Sequence, residues 1–144
     1  LGMVFSWGAL VGWIELSGDG LVMLAALYAG AICWVIGYDT IYALQDREDD
    51  ALIGVRSSAR RLGGHVRVGV GVFYAASVSF WGVAFWLLRP DPLVLAALLP
   101  AGLHLAWQVL TLVPDDGANA LARFRANRFT GLLVALACWV VGNA

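Results

Sequence analysis

The chain has 144 residues, of which 61% are hydrophobic and only 13% charged, with a mean hydropathy of +0.80. A water-soluble domain of this size cannot hide so much apolar surface, and disorder is excluded by the same richness. Nine basic and ten acidic side chains leave a net charge of −1, which argues against a nucleic-acid partner. What remains is an integral membrane protein. The sequence contains no Lys, so every fixed positive charge is an Arg and the Arg positions can be read as topology.

A helix needs about 20 apolar residues to cross a hydrocarbon layer of about 30 Å. In chain order the apolar runs are Leu1 to Ile14, Leu21 to Tyr38, Val68 to Leu88, Leu93 to Val113 and Phe129 to Ala144. They predict an all-α, polytopic transmembrane helical bundle of about five spans. The first and last are shorter and read as spans cut close to the chain ends, and neither has the basic flank and cleavage site of a signal peptide. Cys33 and Cys138 lie inside apolar runs and read as packing residues, not as a disulfide or metal ligands. No repeat or long linker divides the chain, so residues 1–144 form one unit.

Short cytoplasmic loops retain Arg. Arg47, Arg56, Arg60, Arg61 and Arg67 fall between the second and third spans, and Arg123, Arg125 and Arg128 between the fourth and fifth. Arg89 alone sits in the Arg89-Pro90-Asp91-Pro92 turn, on the other side of the alternating spans. The Arg-rich loops are therefore expected in the cytoplasm. Trp13, Trp86 and Trp139 then lie toward the opposite face as an aromatic belt.

The segment from Tyr38 to Asp50 follows the second span directly and carries five of the ten acidic residues. Carboxylates this close to a membrane are costly unless a cation binds them. If the span continues as a helix, steps of seven and eleven residues bring Asp39, Asp46 and Asp50 within roughly 40° of one another. Asp46 and Asp50 are then about 6 Å apart along the axis, and Asp39 about 10 Å deeper. Asp46 and Asp50 form a hard-oxygen pair suited to Mg²⁺, which completes its shell with water and phosphate oxygens. The same pattern also fits a solvated helix end paired to Arg.

Downstream, Gly54 to Gly64 reads as a short helix with Ser57 or Ser58 as N-cap and Gly63 just past its end. Arg56 and Arg60, four residues apart, would share a face and suit a diphosphate. They serve equally as positive-inside charge or lipid-headgroup contacts. His104 lies mid-span, where a neutral, hydrogen-bonded imidazole is expected.

The string from Tyr38 to Asp50, followed by Ile53-Gly54-Val55-Arg56-Ser57-Ser58-Ala59, resembles the second aspartate-rich motif of UbiA-type intramembrane prenyltransferases. Phe5-Ser6-Trp7-Gly8-Ala9, His104-Leu105-Ala106-Trp107-Gln108 and Phe124-Arg125-Ala126-Asn127-Arg128 extend the similarity over the whole chain, and within the family it is strongest to the subgroup that prenylates 4-hydroxybenzoate. The resemblance implies a nine-helix bundle around a central cavity, with two facing aspartate-rich motifs. The first motif, N-D-x-x-D-x-x-x-D, does not occur here, so the five spans would match the last five helices, and the missing N-terminal half would be needed to complete the site. Such a fragment alone is expected to be inactive.

The implied activity is Mg²⁺-dependent transfer of a polyprenyl group from polyprenyl diphosphate to 4-hydroxybenzoate, ortho to its hydroxyl, in ubiquinone synthesis, within a bacterial inner membrane. In this reading Asp46 and Asp50 hold Mg²⁺, Arg56 and Arg60 assist on the diphosphate, and Asp39 with Tyr42 acts on the acceptor. Tyr42 also reads as an interfacial aromatic. Asn127 and Arg128 either meet the diphosphate or end the positive loop. Other acceptors, such as homogentisate, naphthoate, haem or chlorophyllide, would use the same metal site, and a non-enzymatic cation transporter is the alternative from another class. A CDP-alcohol phosphotransferase would need D-G-x-x-A-R, which is absent.

Overall fold

The computed structural model describes residues 2–8, 10–11, 20–45, 54 and 57–143. A short helix α1 (Gly2–Phe5) precedes α2 (Leu21–Tyr42), α3 (Ser58–Leu62), a 3₁₀ turn (Gly63–His65), α4 (Val66–Leu88), α5 (Pro92–Thr111) and α6 (Gly117–Asn143). Among the described residues, α2, α4, α5 and α6 are long and apolar enough to cross a membrane. The first expected span, 1–14, is only partly within the described residues, and Trp13 lies outside them.

The four long helices pack in a closed cycle, α2 against α4, α4 against α5, α5 against α6 and α6 back against α2, with α1 laid on α2. Lipid tails are as apolar as leucine, so close packing and interhelical hydrogen bonds must hold these helices together. The α2–α4 contact shows how. A Cβ on Gly30 would stand 2.5 Å from the Trp81 ring, and one on Gly37 2.5 Å from the Tyr74 ring. The two glycines lie two turns apart on one face of α2 and let α4 approach closely. Ser77 seals the contact by donating to the Gly30 carbonyl at 2.7 Å. Outward-facing Val72, Leu99, Leu103, Leu110, Leu132 and Leu136 are exposed, as a lipid-facing surface requires.

Two expectations change here. Arg123, Arg125 and Arg128 are not in a loop: α6 begins at Gly117, twelve residues before Phe129. At about 1.5 Å per residue, its 27 residues span about 40 Å, more than the hydrocarbon thickness, so the first turns reach the interface and tolerate charge. Asp116 starts the helix by accepting from the Asn119 backbone N–H at 3.0 Å. Second, α2 runs past Tyr38 but stops at Tyr42. The next residues tighten, with Leu44 N–H bonded to the Ile41 carbonyl and Gln45 N–H to that of Tyr42. Asp39 lies in α2, whereas Asp46 and Asp50 lie outside the described residues.

Candidate functional site at the Arg-rich end of the bundle

Of the residues singled out by sequence, Asp39, Tyr42 and Arg60 are described, whereas Asp46, Asp50 and Arg56 lie outside the described residues. Asp39 is half-buried in the last turn of α2, and its carbonyl accepts from the Ala43 N–H. Tyr42 stands one turn beyond Tyr38 and two beyond Trp34, on the face of α2 turned to α6. Its ring centroid lies 4.8 Å from that of Phe124. Tyr38 meets the same Phe124 at 5.9 Å and Trp34 at 5.5 Å, and Trp34 meets Trp81 at 5.8 Å. Edge and tilted contacts of this kind are the favoured aromatic geometries.

The expected short helix α3 is present with the expected cap. The Ser57 side chain accepts from the Arg60 N–H, and Gly63 follows with a φ of +54°, a conformation that favours glycine. Thr40, fully buried in α2, shares a hydrogen bond of 2.8 Å with the Ser58 hydroxyl, which docks α3 on the end of α2. Arg60 lines a polar cavity of about 640 Å³ with Ser57, Ser58 and Arg61. The structure thus parts two of the predicted residues: Tyr42 faces α6, and Arg60 faces the α3 cavity. Among the described residues no three His, Cys, Asp or Glu side chains gather into a metal site.

A second cavity, of about 480 Å³, opens between α2 and α6 and is lined by Trp34, Tyr38, Phe124, Arg125, Asn127 and Arg128. Behind it lies a buried polar network that sequence reasoning missed. The Trp34 indole N–H donates to Asn127 Oδ1 at 2.8 Å, and the Tyr74 hydroxyl lies 3.3 Å from the same oxygen. Asn127 Nδ2 donates to Gln108 Oε1 at 2.9 Å, and Tyr74 also reaches that oxygen, at 3.2 Å. Gln108 Nε2 donates to Thr130 Oγ1 at 3.1 Å, and His104 Nδ1 is 2.9 Å from that hydroxyl. His104 is hydrogen-bonded, as expected for a mid-span imidazole.

Asn127 therefore joins α2, α4 and α5 to α6 and is not free to meet a ligand as a donor or acceptor. His104 also stacks on Trp107, and the Arg123 guanidinium lies 4.1 Å over the Trp107 ring. Arg67 ties the start of α4 to the end of α5 by donating to the Leu112 carbonyl. Tyr74, His104, Gln108 and Thr130 are polar side chains inside apolar runs, which is a readable signal, whereas Asn127 lies in the Arg-rich stretch before Phe129. Their pairing is not readable, because the partners lie up to 93 positions apart.

Four membrane-length helices closed around a hydrogen-bonded interior, with arginines and aromatics gathered toward one end, define a polytopic helical membrane protein. The chain belongs to the UbiA prenyltransferase family, whose model matches residues 1–141. It is 39% identical over 137 residues to the mitochondrial 4-hydroxybenzoate polyprenyltransferase of Drosophila melanogaster, covering 94% of this chain and 35% of that protein. It is 40% identical over 139 residues to that of Caenorhabditis elegans (93% and 38%) and 39% identical over 148 residues to that of Homo sapiens (99% and 38%). The chain spans about a third of the length of the curated relatives it matches. No solved structure matches it.

Proposed function

We propose that this chain forms the C-terminal part of a Mg²⁺-dependent enzyme that transfers a polyprenyl group from polyprenyl diphosphate to 4-hydroxybenzoate, ortho to the hydroxyl, in ubiquinone synthesis. The observation that carries this reading is identity of 39–40% to enzymes of that name along nearly the whole chain, the Asp-rich segment included. We place it in a bacterial inner membrane, with the Arg-rich loops and the Asp motif on the cytoplasmic side; the relatives compared are named mitochondrial.

In this reading the allylic C–O bond breaks, pyrophosphate leaves, and a C–C bond forms to the ring carbon, which then gives up its proton. Asp46 and Asp50 would hold Mg²⁺: the segment from residue 38 to 50 offers carboxylates and neither thiol nor imidazole, a donor set that fits a hard cation. When bound, Mg²⁺ neutralises charge on the departing pyrophosphate. Arg56 and Arg60 add donors to the same oxygens. Asp39 polarises the acceptor hydroxyl or takes the ring proton, and Tyr42, beside Phe124, borders the acceptor. The apolar helices exclude water, which would otherwise capture the allylic cation.

The test uses membranes carrying the chain joined to the N-terminal part of a full-length relative, supplied with polyprenyl diphosphate and 4-hydroxybenzoate. Prenylated 4-hydroxybenzoate should form, vanish with EDTA and return with Mg²⁺, while the chain alone gives none. Product indifferent to EDTA, or product only from other acceptors, contradicts the proposal.

A further inference from the structure

The buried polar network links the walls of two cavities. Trp34 lines the cavity between α2 and α6. Tyr74 lines another, an apolar cavity of about 510 Å³ between α4 and α5, where Gly71, Ala75, Gly102 and Ala106 leave room. Gln108, fully buried on α5, bonds the Tyr74 hydroxyl directly and reaches the Trp34 indole through Asn127.

These bonds admit one direction only. The indole N–H can only donate, so the Asn127 atom that meets it is the carbonyl oxygen. The backbone carbonyls of Arg123 and Phe124 can only accept, and they lie 3.2 and 3.4 Å from Asn127 Nδ2. Asn127 Nδ2 therefore donates to Gln108 Oε1, which turns Gln108 Nε2 to Thr130 and His104. An amide nitrogen only donates, so the Thr130 hydroxyl gives its own proton to His104 Nδ1, its other partner among the described residues. That nitrogen also lies 3.3 Å from Gln108 Nε2, so it is bare and the imidazole proton sits on Nε2. Reversing any one bond would set two donors or two acceptors face to face in a buried interior.

Resting on the function proposed above, we infer that Gln108 is a positioning residue for prenyl transfer, whose carboxamide holds the Tyr74 ring at one cavity and, through Asn127, the Trp34 ring at the other. Apolar packing alone lets a ring tilt, whereas a directional bond at its hydroxyl or indole N–H removes that freedom. The effect extends beyond the two rings. Trp34 meets Tyr38 edge-on, and Tyr38 and Tyr42 both meet Phe124, so a tilt at Trp34 is passed along the aromatic row toward the end of α2. Cavity walls that shift by about 1 Å still bind a substrate but spoil the alignment of reacting atoms, which lowers turnover more than affinity. An apolar side chain at 108 would fill the space and hold neither ring.

The experiment uses the joined protein in nanodiscs, as wild type and with Gln108→Met or Gln108→Glu. With ring-¹⁵N histidine, His104, assigned by its loss in His104→Asn, should show a bare Nδ1 and a protonated Nε2 in the wild type. A proton on Nδ1 overturns the inference, and this reading needs neither turnover nor a variant at 108 that folds. With indole-¹⁵N tryptophan, the Trp34 N–H, assigned by its loss in Trp34→Phe, should shift and broaden in Gln108→Met. Gln108→Glu keeps an oxygen toward Asn127 and Tyr74, so it should leave that resonance in place. Per folded protein, Gln108→Met should lower kcat about tenfold with both KM values within about twofold, and Gln108→Glu should return kcat to within about threefold of wild type. An unmoved Trp34 resonance or full turnover in Gln108→Met overturns the inference. Wild-type protein with the expected His104 tautomer and the expected Trp34 shift in Gln108→Met, but no product, upholds the chain of bonds and overturns the enzymatic reading. Product formed at equal rates by wild type and Gln108→Met does the reverse.

Discussion

The two ends of this bundle are held by different forces. Near Leu21, Leu88, Pro92 and Asn143 the interior is Leu24, Ala84, Phe85, Val94, Leu98, Ala137 and Val141, with apolar packing alone. Toward the Arg-rich end, Trp34, Tyr74, Gln108, Asn127 and Thr130 replace it with directional hydrogen bonds linking all four helices. Apolar contacts in lipid tolerate sliding and repacking, whereas a carboxamide with each atom engaged permits one arrangement. The lesson is that directional bonding is concentrated at the end with the polar-lined cavities, whereas the small cavity at the other end is bounded by apolar packing.

This contrast can be broken by substitution. Asn127→Leu should cost the most, about 3 kcal/mol, because three interhelical bonds go and Trp34, Tyr74 and Gln108 are left with unmet polar groups in a water-poor interior. Unfolding of the purified chain in mixed micelles titrated with SDS measures it. Phe85→Leu, at the apolar end, should cost less, about 1 kcal/mol in the same titration, since it forfeits packing contacts and strands no polar atom. Equal costs at the two positions would erase the distinction.

Much of this was legible in the sequence. Apolar runs locate α2, α4 and α5 to within a few residues, because span length is set by bilayer thickness. Ser57 and Gly63 mark the bounds of α3, because capping chemistry is local. The start of α6 was hidden. Arg123, Arg125 and Arg128 interrupt an apolar window, yet helix formation depends on backbone hydrogen bonding and on good formers such as Ala118, Ala120, Ala122 and Ala126, none of which needs apolarity. The available signal was Asp116, a residue favoured at helix starts and standing just before that Ala-rich run. The stop at Tyr42 carried no breaker, since Ala43, Leu44 and Gln45 are all good helix formers. The cavity and its network were beyond reach, because both arise from long-range contacts between helices that a periodic pattern does not pair.

The proposed function turns on a divalent ion held by Asp46 and Asp50. The most direct measurement is the rate of prenyl transfer by the joined protein carrying Asp46→Ala, Asp50→Ala or, for comparison, Glu48→Ala. Loss of one metal ligand should lower kcat by about 100-fold or more at Asp46 and at Asp50 and restore little with excess Mg²⁺, with Glu48→Ala near wild type. Full turnover by Asp46→Ala would contradict it.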